Sequence, residues 1–240
     1  MRYSIPLRAA LLILGSLCAT TAIYAETVDA SVQVRITRQG KAKDQPAASA
    51  GVVVWLTPLS PAMAGVASSP RPGHYRLVQK DKKFTPHLLV IPTGSTVDFP
   101  NLDPFFHNVF SLFNGKRFDL GLYESGSSRT VHFDHDGVSY IFCNIHPEMS
   151  AVIITVSTPY FGVSPADGNI TLQAVPPASY EMHVWAEGGS TSDLNALSRR
   201  VVVTSSQRDL GVVDIKVDSH TPAHKNKFGE DYEAPNESIY

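Results

Sequence analysis

The chain has 240 residues and a mass of 26.1 kDa, enough for one large β domain or two ordinary ones with buried cores. Hydrophobic residues make up 43%, charged residues 18%, and the mean hydropathy is −0.05, which excludes bulk disorder, a collagen-like fibre and a polytopic membrane protein. The formal net charge of −2 offers no basic field for nucleic acid, and Gly 16 with Pro 17 favours many short strands over long helices.

Residues 1–25 read as a secretory signal peptide. Arg2 and Arg8 precede a small, apolar run over Ala9–Ala19, and Ile23-Tyr24-Ala25 offers a small-residue cleavage site. The run is too short for a permanent membrane span. Residues 26–57 hold an alternating strand over Val28–Thr37 and a second strand at Gly51–Leu56. Residues 58–74, with Pro58, Pro61, Pro70 and Pro72, read as a linker.

Over residues 75–158 the density of strands rises. Tyr75–Gln79, Leu88–Ile91, Thr96–Phe99, His107–Phe110, Arg129–Phe133, Val138–Phe142 and Ala151–Val156 are β-branched or aromatic runs. Turn residues separate them, the pattern of a sandwich or barrel. No window predicts an amphipathic helix, and Phe113–Leu120 holds at most one turn. Residues 159–217 continue with strands at Asn169–Leu172, Tyr180–Val184, Arg200–Thr204 and Leu210–Val217. Residues 218–240 show no period and read as a disordered tail.

Signal cleavage removes Cys18 and leaves Cys143 as the sole cysteine of an exported protein. No internal disulfide can then form, and a lone thiol in an oxidising compartment is a liability unless something occupies it. Cys143, His146 and Met149 follow at intervals of three, between the strand ending at Phe142 and the one starting at Ala151. His107 opens an earlier strand. Two imidazoles, a thiolate and a weaker thioether make the ligand set of a blue-copper electron-transfer site. Zinc competes, although structural zinc usually shows paired Cys or His spacings that this chain lacks. Taken singly, Cys143 reads as a buried apolar thiol, Met149 as core and His107 as a hydrogen-bonded surface residue. Their joint arrangement favours a metal. His132 and His135 form a His-x-x-His pair at a strand end, where a solvated turn is the simpler reading.

Lys83-Phe84-Thr85-Pro86, Ile91-Pro92-Thr93-Gly94-Ser95-Thr96-Val97-Asp98-Phe99-Pro100-Asn101 and His107-Asn108-Val109 resemble a cupredoxin of the plastocyanin and amicyanin kind. The Cys143-Asn144-Ile145-His146-Pro147-Glu148-Met149 loop is similar to that of amicyanin. Extended through Thr158-Pro159-Tyr160-Phe161, the pattern resembles periplasmic methylamine utilization proteins, although nothing in the sequence recognises an amine. The resemblance implies a Greek-key β-sandwich with one type 1 copper ion held by His107, Cys143 and His146, with Met149 axial. It also implies that Asn108 braces the ligand loop. Ala50–Leu56, Ala166–Leu172 and Val175–Tyr180 resemble a carboxypeptidase regulatory-like (transthyretin-like) sandwich, into which the copper unit would be inserted. Strand pairs with one apolar face each are unstable alone, and pairing Val28–Leu56 with Asn169–Val217 would bury both faces.

The function expected is that of a periplasmic carrier of single electrons between redox proteins, such as a cytochrome c or a periplasmic dehydrogenase. It has no membrane span after cleavage and no nucleic-acid partner. Copper enzymes need a second centre built from His-x-His pairs or a His-Cys-His run, and Gly-x-Ser-x-Gly is also missing, so catalysis is not expected. Copper delivery or a non-redox binding sandwich are the alternatives. Phe105, Phe106, Ile145 and Pro147 are expected to form an apolar docking rim, with an edge of the His146 ring reaching solvent.

Overall fold

The computed structural model describes residues 26–39, 45–60, 70–112, 115–218 and 224–232. The signal-peptide reading, Cys18 and most of the expected linker lie outside the described residues. The described chain is all-β apart from one short helix. Its first strands are β1 (Val28–Gln39), β2 (Gln45–Ala47) and β3 (Val53–Pro58). Next come β4 (His74–Arg76), β5 (Val78–Lys80), β6 (Lys83–Thr85), β7 (Leu88–Pro92), β8 (Ser95–Pro100) and β9 (His107–Ser111). They are followed by β10 (Phe118–Tyr123), β11 (Ser128–Phe133), β12 (Gly137–Cys143) and β13 (Ser150–Val156). The series closes with β14 (Phe161–Val163), β15 (Asn169–Val175), β16 (Ala178–Trp185), α1 (Thr191–Leu197), β17 (Arg199–Val203) and β18 (Asp209–Asp218).

The middle of the chain forms a five-stranded sheet, β10-β9-β12-β13-β7, facing a three-stranded sheet, β11-β8-β4, with the β5-β6 hairpin beside them. Leu77, Phe84, Val97, Phe99, Val109, Ile141 and Ile153 pack together as their core, and Cys143 and Met149 belong to the same cluster. The two ends of the chain combine into two further sheets. One is β15-β1-β18 with β2 alongside β1, and the other is β14-β3-β16-β17. In the latter, Met182 lies opposite Leu56, Val184 opposite Val54 and Phe161 opposite Trp55. The segment from β4 to β13 thus leaves and re-enters the chain between β3 and β14, two strands that are direct neighbours.

The two halves share apolar packing. Along β13, Ala151 and Ile153 face the inner core, while Val152, Ile154 and Val156 join the cluster of Val54, Leu56, Tyr180 and Trp185. This explains why Ala151–Val156 is apolar apart from Thr155: both faces of the strand are buried. The Trp185 indole N–H donates to the Tyr140 hydroxyl at 3.4 Å, and His87 meets Glu187 at 2.9 Å across the same seam.

Three details differ from the expectations. Phe118–Tyr123 is an edge strand paired with β9, so the turn of helix expected within Phe113–Leu120 is not formed over its strand residues. The helix α1 was not expected, because its one buried residue, Leu194, leaves no apolar stripe to read. Its start is fixed by Ser190, whose hydroxyl accepts the Asp193 N–H at 3.1 Å. Beyond β18, residues 224–232 form no regular element, yet they lie hydrogen-bonded against Cys143 and Asn144.

Ile154 is 1% exposed at the seam. Ile154→Ala is expected to cost about 2–5 kcal/mol. Because the seam is apolar and continuous, calorimetry should show one cooperative transition moving to lower temperature. Two separable transitions would mean that the halves fold independently.

Candidate metal centre

Strand periodicity brings the donors together. On β12, Ser139, Ile141 and Cys143 alternate inward, so the strand delivers the Cys143 side chain to the core at its last residue. Cys143 pairs with Val109 on β9, and His107, two residues before Val109, is its diagonal neighbour on the same face. The third donor comes from the loop that follows. The Met149 N–H donates to the His146 carbonyl at 3.1 Å and the Cys143 N–H to the Met149 carbonyl at 3.3 Å, so the loop closes on its own backbone and turns His146 inward.

The resulting triangle is tight. Cys143 Sγ lies 3.7 Å from His107 Nδ1 and 3.6 Å from His146 Nδ1, and the two Nδ1 atoms are 3.1 Å apart. Donors sharing one ion at bond lengths of about 2.0–2.3 Å have edges of this order. All three residues are buried, and they are the sole grouping of three or more His, Cys, Asp or Glu donors among the described residues. Met149 is fully buried in the same core and ties the loop through its backbone.

A residue absent from the sequence reading completes the site. Asp103 is buried, and its Oδ2 accepts the His107 Nε2–H at 2.8 Å. A carboxylate can only accept here, so Nε2 carries the proton and Nδ1 turns its lone pair toward Cys143 and His146. Asp103 also accepts the Asp81 N–H at 2.6 Å and the Lys82 N–H at 3.0 Å. Burial acts to raise its pKa, but these three hydrogen bonds and the nearby His107 outweigh it and hold the carboxyl below its ordinary value.

Burial disfavours a proton on either imidazole. The His107 pKa is lowered chiefly by burial, against the pull of Asp103. His146 is pushed down to about 4 by burial and then by the neighbouring His107. Both rings are therefore neutral and available as donors at neutral pH. The Cys143 thiol is pushed up by burial, although backbone N–H groups of Asn108, Ile145 and His146 converge on the sulfur and act in the opposite sense. Such donors suit a sulfur that carries negative charge.

Asn108 does not brace the ligand loop with its side chain. Its backbone N–H meets the sulfur, while its amide donates to Asp119 on β10 at 2.7 Å. His146 is the one donor of the three that keeps any exposure, and it is slight. It is 4% exposed, because the Phe105 ring packs 5.3 Å from the His107 ring and 5.5 Å from the His146 ring, centroid to centroid. Beside this covered ring, Phe106, Ile145 and Pro147 are exposed. His132 and His135 make separate contacts, with the Gly94 carbonyl and with Asp134.

No protein-family profile and no curated protein matches the chain. Among solved structures, a purple cupredoxin from Nitrosopumilus maritimus is 24% identical over 34% of this chain and 99% of its own, at a TM-score of 0.31. An amicyanin variant in its reduced copper(I) form is 16% identical over 43% of this chain and 98% of its own, at 0.33. A copper-containing nitrite reductase from Thermus scotoductus is 25% identical over 42% of this chain and 27% of its own, also at 0.33. TM-scores this low carry no weight for the site, whose reading rests on its own donors.

Asp103→Asn should release the His107 ring from a fixed tautomer while keeping the side-chain volume. Metal affinity, measured by competition with a chelator, is expected to fall about 10–100-fold. An affinity unchanged by the substitution would show that the carboxylate does not orient the ring.

Proposed function

We propose that this chain is a type 1 (blue) copper protein that is exported to the periplasm and carries single electrons between redox proteins. The observation that carries the reading is the buried triangle of His107 Nδ1, Cys143 Sγ and His146 Nδ1. One soft thiolate with two imidazoles, and a thioether in the same loop, suits copper in both oxidation states better than zinc. When bound, copper would supply a one-electron couple, and His107, Cys143 and His146 would hold it with Met149 as a weaker additional donor.

The protein's own residues do the rest. Asp103 holds His107 in the tautomer whose lone pair faces the sulfur. Three backbone N–H groups accommodate charge on Cys143. The Phe105 ring packs against both imidazoles and shields them from water. Donors anchored on β9, on β12 and in a self-closed loop move little when the charge of the site changes. A carrier fits this arrangement better than an enzyme, because catalytic metal sites keep an open position whereas these donors are sealed. Among the described residues no helix is long and apolar enough to cross a membrane.

We read the outer sheets, β15-β1-β18 and β14-β3-β16-β17, as a carboxypeptidase regulatory-like sandwich carrying the copper unit as an insertion. The pairing of β3 with both β14 and β16 supports it. Partner proteins of the cytochrome c or periplasmic dehydrogenase type would meet the apolar surface of Phe106, Ile145 and Pro147 beside Phe105. Brief redox encounters use small interfaces.

Copper(II) added to the metal-free protein should give an intense visible copper–thiolate absorption. Cys143→Ser is expected to abolish it. Met149→Leu should keep the colour and raise the reduction potential, since a donor favouring copper(II) is lost. A Cys143→Ser protein that stays blue would reject the assignment.

Charge at the rim tests the docking surface separately. Phe106→Glu and Pro147→Lys should leave spectrum and potential intact and slow electron exchange with a redox protein about tenfold or more, the loss of about 1.4 kcal/mol of encounter stability. Native exchange rates in both variants would exclude this face as the docking surface.

A further inference from the structure

The last described segment, residues 224–232, lies against the ligand loop rather than away from the fold. The Tyr232 hydroxyl donates to the Cys143 carbonyl at 2.6 Å. The Lys227 N–H donates to Asn144 Oδ1, inside the ligand loop, at 2.9 Å. The Lys227 ammonium pairs with Asp119 at 2.7 Å, and Asp119 also accepts the Asn108 amide. His224 stacks on Phe142, the residue before Cys143, with ring centroids 4.0 Å apart. These contacts converge on Phe142, Cys143 and Asn144 and, through Asp119, reach Asn108, one of the three residues whose N–H meets the sulfur.

The segment also carries hydrogen bonds of its own. Asn226 Oδ1 accepts the Phe228 N–H at 2.9 Å and the Glu230 N–H at 3.0 Å. The Asn226 N–H donates to the Glu230 carbonyl at 2.9 Å, and Gly229, at φ 83°, supplies the left-handed turn. Lys225 and Asp231 close the base at 3.0 Å. A preformed turn loses less conformational entropy on docking than a free chain end of the same length. The three anchors on the loop side, Tyr232, Lys227 and His224, are spread along the turn, so they oppose both a shift and a rotation of the Cys143–Asn144 peptide.

We infer that residues 224–232 form a strap that positions Cys143, with Tyr232 and Lys227 as positioning residues of the metal centre. The strap keeps the Cys143–His146 loop closed over the thiol whether or not metal is bound. It deepens the copper reading but rests on that reading for the spectroscopic measurement alone.

The test uses the full-length protein. In the metal-free form, opening of the loop is read from the rate at which iodoacetamide alkylates Cys143, which is fully buried. When closing is faster than alkylation, that rate follows the opening equilibrium. The Lys227→Ala/Tyr232→Phe protein loses the ammonium–Asp119 pair and the Tyr232–Cys143 hydrogen bond while keeping the Lys227 backbone N–H to Asn144, and it is expected to react roughly three- to tenfold faster for each side-chain bond lost. Lys225→Ala, which breaks the exposed pair at the base of the turn, serves as the control and should react at nearly the native rate. Tyr232→Phe alone deletes one oxygen and no packing. It is expected to give about a threefold increase, and it keeps the test decisive if the double variant folds poorly. With copper(II) added, the same variants should shift the copper–thiolate absorption, a change that a merely stabilising contact would not cause. Native alkylation rates in the double variant and in Tyr232→Phe would overturn the strap. A protein that develops no colour with copper(II) would instead overturn the copper reading, and the alkylation rates would still decide the strap.

Discussion

A single sulfur buried in an apolar core imposes most of what surrounds it. Cys143 is fully buried among Val109, Ile141, Met149 and Ile153, where water cannot satisfy a polar neighbour. Two imidazoles nevertheless point their Nδ1 atoms at it. Buried polar groups without partners cost about 1–3 kcal/mol each, so such a cluster persists only where each member is accounted for. His107 is satisfied outward by Asp103, and the sulfur receives backbone N–H groups from both the loop and β9. What converges at the centre is three ligand atoms within 3.1–3.7 Å of one another. One ion could accept a lone pair from all three, which is why the arrangement points to metal more firmly than any one residue does.

The scaffold makes this tolerable. The five-stranded sheet is covered on one side by the inner core and on the other by Trp185, Tyr180 and their neighbours. A strand buried on both faces, as β13 is, cannot slip by one residue without exchanging its two apolar sets. That fixes β12 beside it, and with it the height at which Cys143 enters the core. The two outer sheets therefore contribute to the precision of the donor triangle without touching it.

Much of this was legible in the sequence, and the limits have a physical pattern. Val28, Ala30, Val32 and Val34 alternate inward as their spacing indicates, and the runs at Thr96–Phe99 and Ala151–Val156 are strands. His107, Cys143 and His146 meet, because β9 pairs with β12 and the short loop after β12 leaves His146 few other places. The local periodicity that identifies strands says nothing about Asp103. In sequence it is one acid in an Asn101-Leu102-Asp103 turn, and its role exists only once β5, β6 and β9 are assembled. The contact between Phe105 and His146 was hidden for a related reason: Phe105 precedes His107 in the chain but meets His146 from another element. Asn226, Lys227 and Tyr232 carried no signal, since their partners are far away in sequence and a polar segment without periodicity looks the same docked or free.

Asp103 also joins two problems that look unrelated. The β5-β6 hairpin turns through Asp81 and Lys82, with φ of 55° and 54°, a conformation that non-glycine residues adopt reluctantly. Both of their N–H groups donate to the Asp103 carboxylate that orients His107. The turn supplies two of the three hydrogen bonds that keep this carboxylate ionised in a buried place, and the carboxylate in return holds the turn in its strained form. The same turn sets the Lys82 ammonium 5.5 Å from the centre of the Phe105 ring. The cover over the imidazoles, whose Phe105 carbonyl also accepts the Asn101 amide at 2.8 Å, and the tautomer beneath it are thus linked through one side chain, so a change at Asp103 reaches the donor geometry and its shielding together.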